Sequence, residues 1–205
     1  MISSPTFLFE PVEGKQPRTA RKIHIRRLYD VLELCLHQGD MKRAMRAWTI
    51  LVRCKEMDWK TMWRTGALMA GTHSPYEGSQ AQDRLEYLSA MMRQYAEARE
   101  AIFQEFVLLL IKAGQHERAL DELELYLPSP PYQDNPVLHL YAGLLCLYLA
   151  QPNPENPEHL NRRTLRDAEQ YLQRTRQLDP DNTIAIAWLE NVRYTLRLSP
   201  QFAIC

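Results

Sequence analysis

Apolar residues recur at a spacing of three or four along most of the chain, which predicts amphipathic helices. Over 25–36, and again over 41–52, these positions fall on one helical face. Gly39 and Asp40 separate the two stretches. A glycine tolerates the positive φ of a short helix-to-helix turn, and an aspartate caps the following helix through its side-chain oxygen. The pattern therefore predicts a helical hairpin.

The same pattern returns later in the chain. The stretch "GDMKRAMRAW" begins at Gly39 and "GQHERALDEL" begins at Gly114, and in each an alanine, Ala44 or Ala119, follows the glycine at the same distance. A small side chain at this position lets two helices cross closely, because a larger one would hold the backbones apart. Ala168 has the same place in a third copy. We therefore predict that these residues determine how the repeats pack.

Three further segments complete the predicted helices. Between the first two copies, the segments 58–71 and 79–98 are predicted to form a pair of helices that has diverged from the repeat. The segment 182–198 is predicted to form a closing helix, capped by Asn182 or Thr183. In the third copy a proline-rich insertion, 151–163, separates the two helices. Its prolines predict a non-helical start and an exposed loop, which either docks a partner or is simply tolerated. The chain is predicted to be all-α, with about eight or nine helices.

These repeats resemble a known repeat family. A small residue at the helix crossing, a glycine in the turn and a closing proline, as in "AEQYLQRTRQLDPDN", resemble the tetratricopeptide repeat, whose period is about 34 residues. The resemblance implies a tetratricopeptide-like α-solenoid of stacked helical hairpins over 21–198, between a flexible N-terminal segment, 1–20, and a C-terminal tail, 199–205. The family's Trp-Leu-Gly-Tyr signature is missing from the first helices of copies one and two.

That family suggests one binding mode that this chain does not support. Co-chaperones of the tetratricopeptide class grip a peptide's C-terminal carboxylate with Lys, Asn and Arg on the first helices of their repeats. The corresponding positions here hold Tyr29, Glu33, Gln104 and Leu108. We therefore do not expect such a carboxylate clamp.

Composition and motifs argue against several functions. Lys plus Arg and Asp plus Glu both number 25, so a globally basic nucleic-acid coat is not expected, although a local patch is allowed. The four cysteines are widely spaced, which favours small core residues over a disulfide framework or metal site. No secretory signal or membrane-length apolar run is seen, so we expect a soluble intracellular protein without a membrane partner.

Catalytic motifs are also missing from the sequence. The histidines are scattered without the spacing of a zinc-binding helix, and no phosphate loop or nucleophile elbow occurs. Carboxylates such as Glu117 and Asp121 fit a solvated helix face. We predict no catalysis, no cofactor and no metal.

The first copy as a whole carries a more specific resemblance. The stretch "LYDVLELCLHQGDMKRAMRAWTILVRCKEMDWKTMWRTGALM", over 28–69, is similar to the RNA polymerase I-specific initiation factor family, with weaker agreement to about Pro180. That family holds the small tetratricopeptide-like subunit of the fungal core factor and the corresponding TATA-binding-protein-associated subunit of animals. The resemblance implies a nuclear, nucleolar scaffold without catalysis, which bridges larger core-factor subunits and helps recruit RNA polymerase I to ribosomal DNA promoters.

Other partners and pathways stay open at this point. The resemblance also allows TATA-binding protein as a partner. A tetratricopeptide-type adaptor of the chaperone, transport or ubiquitin machinery is the alternative, with the similarity of the first copy then coincidental.

A basic stretch near the start suggests how DNA is approached. No acidic residue lies between Glu13 and Asp30, whereas six cations occur there: Lys15, Arg18, Arg21, Lys22, Arg26 and Arg27. Such a stretch suits DNA phosphates or a nuclear import signal, and it also suits a solvated helix start. Because no base-reading motif accompanies it, any DNA contact should be independent of sequence.

Two tryptophans are candidate partner anchors. Trp48 lies on the apolar stripe of the second helix and is expected in the core, whereas Trp59 and Trp63 are spaced to share one helix face. Aromatic residues are enriched at protein interfaces. Trp59 and Trp63 are therefore either partner anchors or core residues.

Overall fold

The computed structural model of the chain describes residues 19–58, 60–72, 77–151 and 161–198, without the side chains of 77, 78 and 198. Within these residues the regular structure is helical, with nine α-helices, two 3-10 helices and no strand, so the all-α prediction is confirmed. The α-helices are α1 (Ala20–Gln38), α2 (Met41–Leu51), α3 (Trp63–Ala70), α4 (Glu77–Gln94), α5 (Arg99–Lys112), α6 (His116–Tyr126), α7 (Pro136–Leu149), α8 (Arg162–Leu178) and α9 (Thr183–Leu198). The 3-10 helices are Ala96–Ala98 and Tyr132–Asp134.

The chain divides into two compact units, Met1–Tyr87 and Leu88–Cys205. In the first unit α1 packs on α2 and α2 on α3. In the second unit α5 packs on α6, α6 on α7, α7 on α8 and α8 on α9. Each of these pairs is consecutive in the chain, as stacked hairpins require. The stacking of all hairpins into one solenoid stays a prediction.

The two glycine turns have the geometry that the sequence predicts. Gly39 has φ 72° and Gly114 has φ 73°, so both are left-handed. The N–H of Asp40 donates to Cys35 O at 2.9 Å, and the N–H of Gln115 donates to Leu110 O at 3.0 Å. The N–H of each glycine also donates to the carbonyl of the residue three positions before it. Each turn is therefore a Schellman motif, which satisfies the last carbonyls of the preceding helix.

The helices after these turns begin differently. The Asp40 carboxylate accepts the N–H of Arg43 at 3.1 Å, which confirms the predicted cap of α2. Gln115 stands at the same place before α6 and makes no side-chain capping bond. The Asn182 side chain accepts the N–H of Ala185 at 3.0 Å, so it caps α9 as one of the two expected residues.

Small residues are buried at several helix crossings, and a glycine lies where α7 crosses α8. Ala44 of the first unit and Ala119 and Ala168 of the second are each fully buried, and their role in determining how the repeats pack stays a prediction. A Cβ placed on Gly143 of α7 would lie 2.8 Å from Leu172 Cγ and 3.5 Å from Ala168 O on α8. Real Cβ atoms do not approach other atoms as closely as the first of these distances. Gly143 is therefore the residue that allows α7 and α8 to approach.

A second close approach lies in the first unit. The ring of Tyr87 on α4 occupies the space where a side chain on Gly66 of α3 would stand, and Trp48 borders the same space. The Tyr87 hydroxyl is buried without a hydrogen-bond partner in the described residues. Burial raises the pKa of Tyr87 to about 12, because the phenolate would lose its hydration.

Aromatic rings form the centre of the second unit. Phe103 on α5 is fully buried, and its ring centroid lies 4.8 Å from that of Tyr126 and 5.1 Å from that of Tyr132. Tyr126 and Tyr132 meet edge to face at 5.3 Å. Such tilted arrangements suit the ring quadrupoles and stiffen the end of α6 against the following turn.

The start of α3 differs from the sequence prediction. A helix was expected from residue 58, but the described residues up to 62 form turns and α3 begins at Trp63. Asp58 accounts for the difference, because its carboxylate accepts the N–H of Lys60 at 3.2 Å and its carbonyl accepts the Thr61 hydroxyl at 2.7 Å. Bonds of this local kind favour a turn over a helix.

Several predicted boundaries fall outside the described residues. The N-terminal segment 1–20 is described only at Thr19 and at Ala20, which already belongs to α1, and the tail 199–205 is not described. Of the insertion 151–163, residues 152–160 are not described, while Arg162 and Arg163 belong to α8 behind the capping side chain of Asn161. Among the described residues no helix is long and apolar enough to cross a membrane.

Candidate interaction surfaces

Four of the six predicted cations lie on the first turns of α1. Arg21, Lys22 and Arg27 are exposed and Arg26 is half-buried, whereas Lys15 and Arg18 lie outside the described residues. The helix begins behind Thr19, whose hydroxyl accepts the N–H of Lys22 at 3.4 Å. No acidic residue stands in the first turn.

Arg21 is held by an acidic residue that the sequence analysis did not pair with it. Its Nε donates to Glu56 Oε1 at 2.6 Å and its Nη2 donates to Glu56 Oε2 at 3.2 Å, which is a bidentate ion pair. The hydrogen bond from Arg21 lowers the pKa of Glu56. Because the pair is solvent-exposed, its contribution to stability is small. Its effect is to neutralise one cation of the basic stretch.

Helix geometry separates the remaining cations. Lys22 and Arg26 are four residues apart and share one face of α1. At 3.6 residues per turn, Arg21 and Arg27 point about 120° apart. The four described cations therefore point to more than one side of α1, and the patch of six stays a prediction; Lys22 and Arg27 are its exposed members apart from the paired Arg21.

Of the two predicted tryptophan anchors, only Trp63 lies among the described residues. Trp63 is buried at 5% exposure, and Trp59 lies outside the described residues, before the start of the helix. Trp48 is buried at 8% exposure in the core of the first unit, as expected. The exposed tryptophan among the described residues is Trp188 of α9, at 43%. It is four residues from the exposed Ile184, so both lie on one face of α9.

Comparison with known proteins identifies the family of the chain. The family model described as RNA polymerase I-specific transcription initiation factor Rrn11 matches residues 4–107. The chain is also 33% identical over 147 residues to the RNA polymerase I-specific transcription initiation factor rrn11 of Schizosaccharomyces pombe, an alignment that covers 66% of this chain and 70% of that relative. The chain belongs to the Rrn11 family. This confirms the resemblance of the first copy.

The Rrn11 match extends across both units. Residues 4–107 include all of α1 to α4 and the first part of α5, whereas α6 to α9 lie beyond it. A comparison with solved structures found no match. The exposed face of α9 is therefore outside the segment that the family model describes.

A cleft in the second unit was not predicted from the sequence. It has a volume of about 450 Å³. It lies between the end of α4, the first half of α5, the second half of α6 and the segment that follows α6. Its lining residues are Ser89, Met92, Arg93, Arg99, Phe106, Glu122, Tyr126, Ser129, Pro130 and Tyr132. They span more than forty positions of the chain, so no local motif marks them.

Side chains of the kinds that bind metals include a buried cysteine and a buried histidine whose pKa values are shifted. No group of three His, Cys, Asp or Glu side chains among the described residues is arranged to hold a metal ion. Cys146 is fully buried, and burial raises the pKa of its thiol to about 12, so the thiolate is not available as a nucleophile. His139 is buried as well, and burial lowers its pKa.

The sequence contained one usable signal for Trp188. Ala185, Leu189 and Val192 recur at helical spacing and are buried, which places Ile184 and Trp188 together on one flank of this buried stripe. The exposure of Trp188 could thus be predicted from the apolar spacing within 182–198.

Proposed function

We propose that the chain is a non-catalytic scaffold subunit of an RNA polymerase I core promoter factor. It bridges the larger subunits of that factor, helps recruit RNA polymerase I to ribosomal DNA promoters and acts in the nucleus, within the nucleolus. Membership of the Rrn11 family carries this proposal, because both the family model and the fission-yeast relative bear the description of an RNA polymerase I-specific initiation factor.

Exposed apolar side chains support a role in assembly. On α1, Ile23, Val31 and Leu34 are between 38% and 55% exposed and lie on the side opposite the buried Leu32. On α9, Ile184 and Trp188 are similarly exposed. Apolar side chains at helical spacing suit docking to a partner's apolar surface.

The first experiment is purification of the tagged chain from its own cells at moderate salt. The proposal predicts two larger proteins in equal amount, with RNA polymerase I subunits at lower yield. Recovery of chaperones, transport factors or ubiquitin-pathway proteins in stoichiometric amount would instead support the adaptor alternative and contradict the proposal.

A substitution at Trp188 tests the proposed docking face of α9. Trp188→Ala is expected to lower the recovery of the larger subunits, because exposed tryptophans often contribute most of an interface's energy. Tyr194→Ala is the matched control, since Tyr194 is an exposed aromatic residue of the same helix, at 64%, and lies off the Ile184 face. Equal recovery with both variants and the wild type would remove α9 from the proposed interface.

The basic end of α1 is proposed to contact promoter DNA phosphates without sequence preference. Each lost phosphate contact should lower the slope of log affinity against log salt by about 1, so Arg27→Ala is expected to do so in the assembled factor. Glu56→Gln should make this slope steeper, because it releases Arg21 from its ion pair and leaves its charge available to a phosphate. If Arg21, Lys22, Arg26 and Arg27 are all changed to Ala and the salt slope stays unchanged, this part of the proposal is wrong.

A further inference from the structure

The cleft between α5, α6 and the end of α4 lies wholly within the second unit and contains an incompletely bonded polar side chain. Tyr132 is 3% exposed, and its hydroxyl has no hydrogen-bond partner among the described residues. A buried hydroxyl normally finds a partner, because its desolvation is otherwise uncompensated. An acceptor that enters the cleft would supply the missing bond.

Arg99 places a cation beside this hydroxyl. Its Nε donates to the carbonyl of Met92 at 2.9 Å, which fixes the guanidinium against the end of α4. Its two terminal nitrogens have no hydrogen-bond partner among the described residues. Arg99 and Tyr132 line the same cleft, and the positive charge of Arg99 opposes the burial that raises the pKa of Tyr132. A fixed guanidinium fork is suited to a planar oxyanion.

The other lining groups limit what kind of anion fits. Arg93 adds a second cation, whereas Glu122 adds a carboxylate. The Ser129 hydroxyl already donates to Tyr126 O at 2.8 Å and offers only acceptor capacity. A single negative charge is therefore accommodated better than a polyanion, which Glu122 would repel. Met92, Phe106 and Pro130 provide apolar walls for neighbouring side chains.

We propose that this cleft binds an acidic side chain on an extended segment of a protein partner, with the Arg99 guanidinium and the Tyr132 hydroxyl as its hydrogen-bond donors. A cleft of about 450 Å³ is the size of sites that enclose a small molecule or one or two side chains. This proposal deepens the proposed function by giving the chemistry of one contact with a partner. It rests on the proposed function only in expecting that partner to belong to the RNA polymerase I machinery.

The test uses the purified full chain and two fluorescein-labelled, capped pentapeptides, Gly-Leu-Glu-Leu-Gly and its glutamine counterpart. Fluorescence anisotropy is expected to show about tenfold tighter binding of the glutamate peptide, the ratio that corresponds to one charge-assisted hydrogen bond. Arg99→Gln should abolish this preference, and Tyr132→Phe should reduce it. Arg118→Gln is the control, since Arg118 is exposed on α6 and does not line the cleft.

Tyr132→Phe keeps the proposal testable if Arg99→Gln unfolds, because the Tyr132 hydroxyl makes no bond within the described structure. Equal binding of the two peptides, no binding of the glutamate peptide at millimolar concentration, or an unchanged preference in Tyr132→Phe would overturn the proposal. So would stronger displacement of the peptide by a duplex oligonucleotide than by free glutamate peptide, which would assign the cleft to nucleic acid.

The outcome is distinguishable from that of the proposed function. Peptide binding without co-purification of RNA polymerase I components leaves the cleft assignment intact and removes the initiation-factor role. Co-purification without peptide binding removes only the cleft assignment.

Discussion

Substitution of Gly143 by alanine tests the close crossing of α7 and α8. Alanine is the better helix former, so at an open position this change would stabilise the chain by about 1 kcal/mol. At Gly143 the new Cβ would lie 2.8 Å from Leu172 Cγ, which forces α7 and α8 apart or moves Leu172 off its rotamer. Overpacking of this kind costs about 1–3 kcal/mol. We expect a net loss of stability of up to about 2 kcal/mol.

A double-mutant cycle with Leu172→Ala isolates the contact. Leu172 is fully buried, so its truncation alone should cost about 2–5 kcal/mol. It also removes the atoms that Gly143→Ala would strike, so in that background the glycine substitution should become neutral or stabilising. The destabilising effect of Gly143→Ala is therefore expected to disappear or to change sign, with a coupling energy of about 1–3 kcal/mol.

The assay is urea unfolding followed by circular dichroism, with Ala187→Gly on the exposed side of α9 to measure the helix-propensity contribution in this chain. If Gly143→Ala has the same effect with and without the Leu172 side chain, the crossing is looser than described and the reasoning is refuted.

Three further predictions concern buried groups. Ala44→Leu and Ala119→Leu should each cost about 1–3 kcal/mol by overpacking, and unchanged melting midpoints for both would show that the repeat register is wrong. Burial lowers the pKa of His139 in the folded chain, so the unfolded chain binds a proton more readily. The free energy of unfolding should therefore fall as the pH drops below about 6.5. The urea midpoint of the His139→Gln variant should depend less on pH than that of the wild type. Iodoacetamide at pH 8 should modify the half-buried Cys54 well before Cys146, because burial raises the pKa of the Cys146 thiol to about 12. Mass spectrometry measures the order of labelling, and the reverse order would contradict the burial of Cys146.

Local rules were sufficient where a structure is made by neighbouring residues. The Gly39 and Gly114 turns and the Asp40 cap depend on backbone conformation and on side chains within a few positions, so sequence predicts them directly. The burial of Ala44 followed from helical periodicity in the same way.

Local rules failed where two plausible structures compete or where distant residues meet. Helical spacing predicted a helix from residue 58, but the hydrogen bonds of Asp58 favour a turn and α3 begins at Trp63. The bidentate pair of Arg21 with Glu56 joins positions 35 apart, and continuity of charge in the sequence concealed it. Such contacts depend on the packing of whole helices, which periodicity alone does not determine.

The packing of consecutive helices has a consequence for how the chain folds. In both units the closely packed pairs are neighbours in sequence, so most stabilising contacts close short loops. Short loops lose little chain entropy on closure, and chains with low relative contact order fold rapidly. Each hairpin can therefore form soon after its second helix is synthesised, before the rest of the chain exists. Early local folding would bury the apolar stripes of α1, α5 and α7 before they can associate with other unfolded chains.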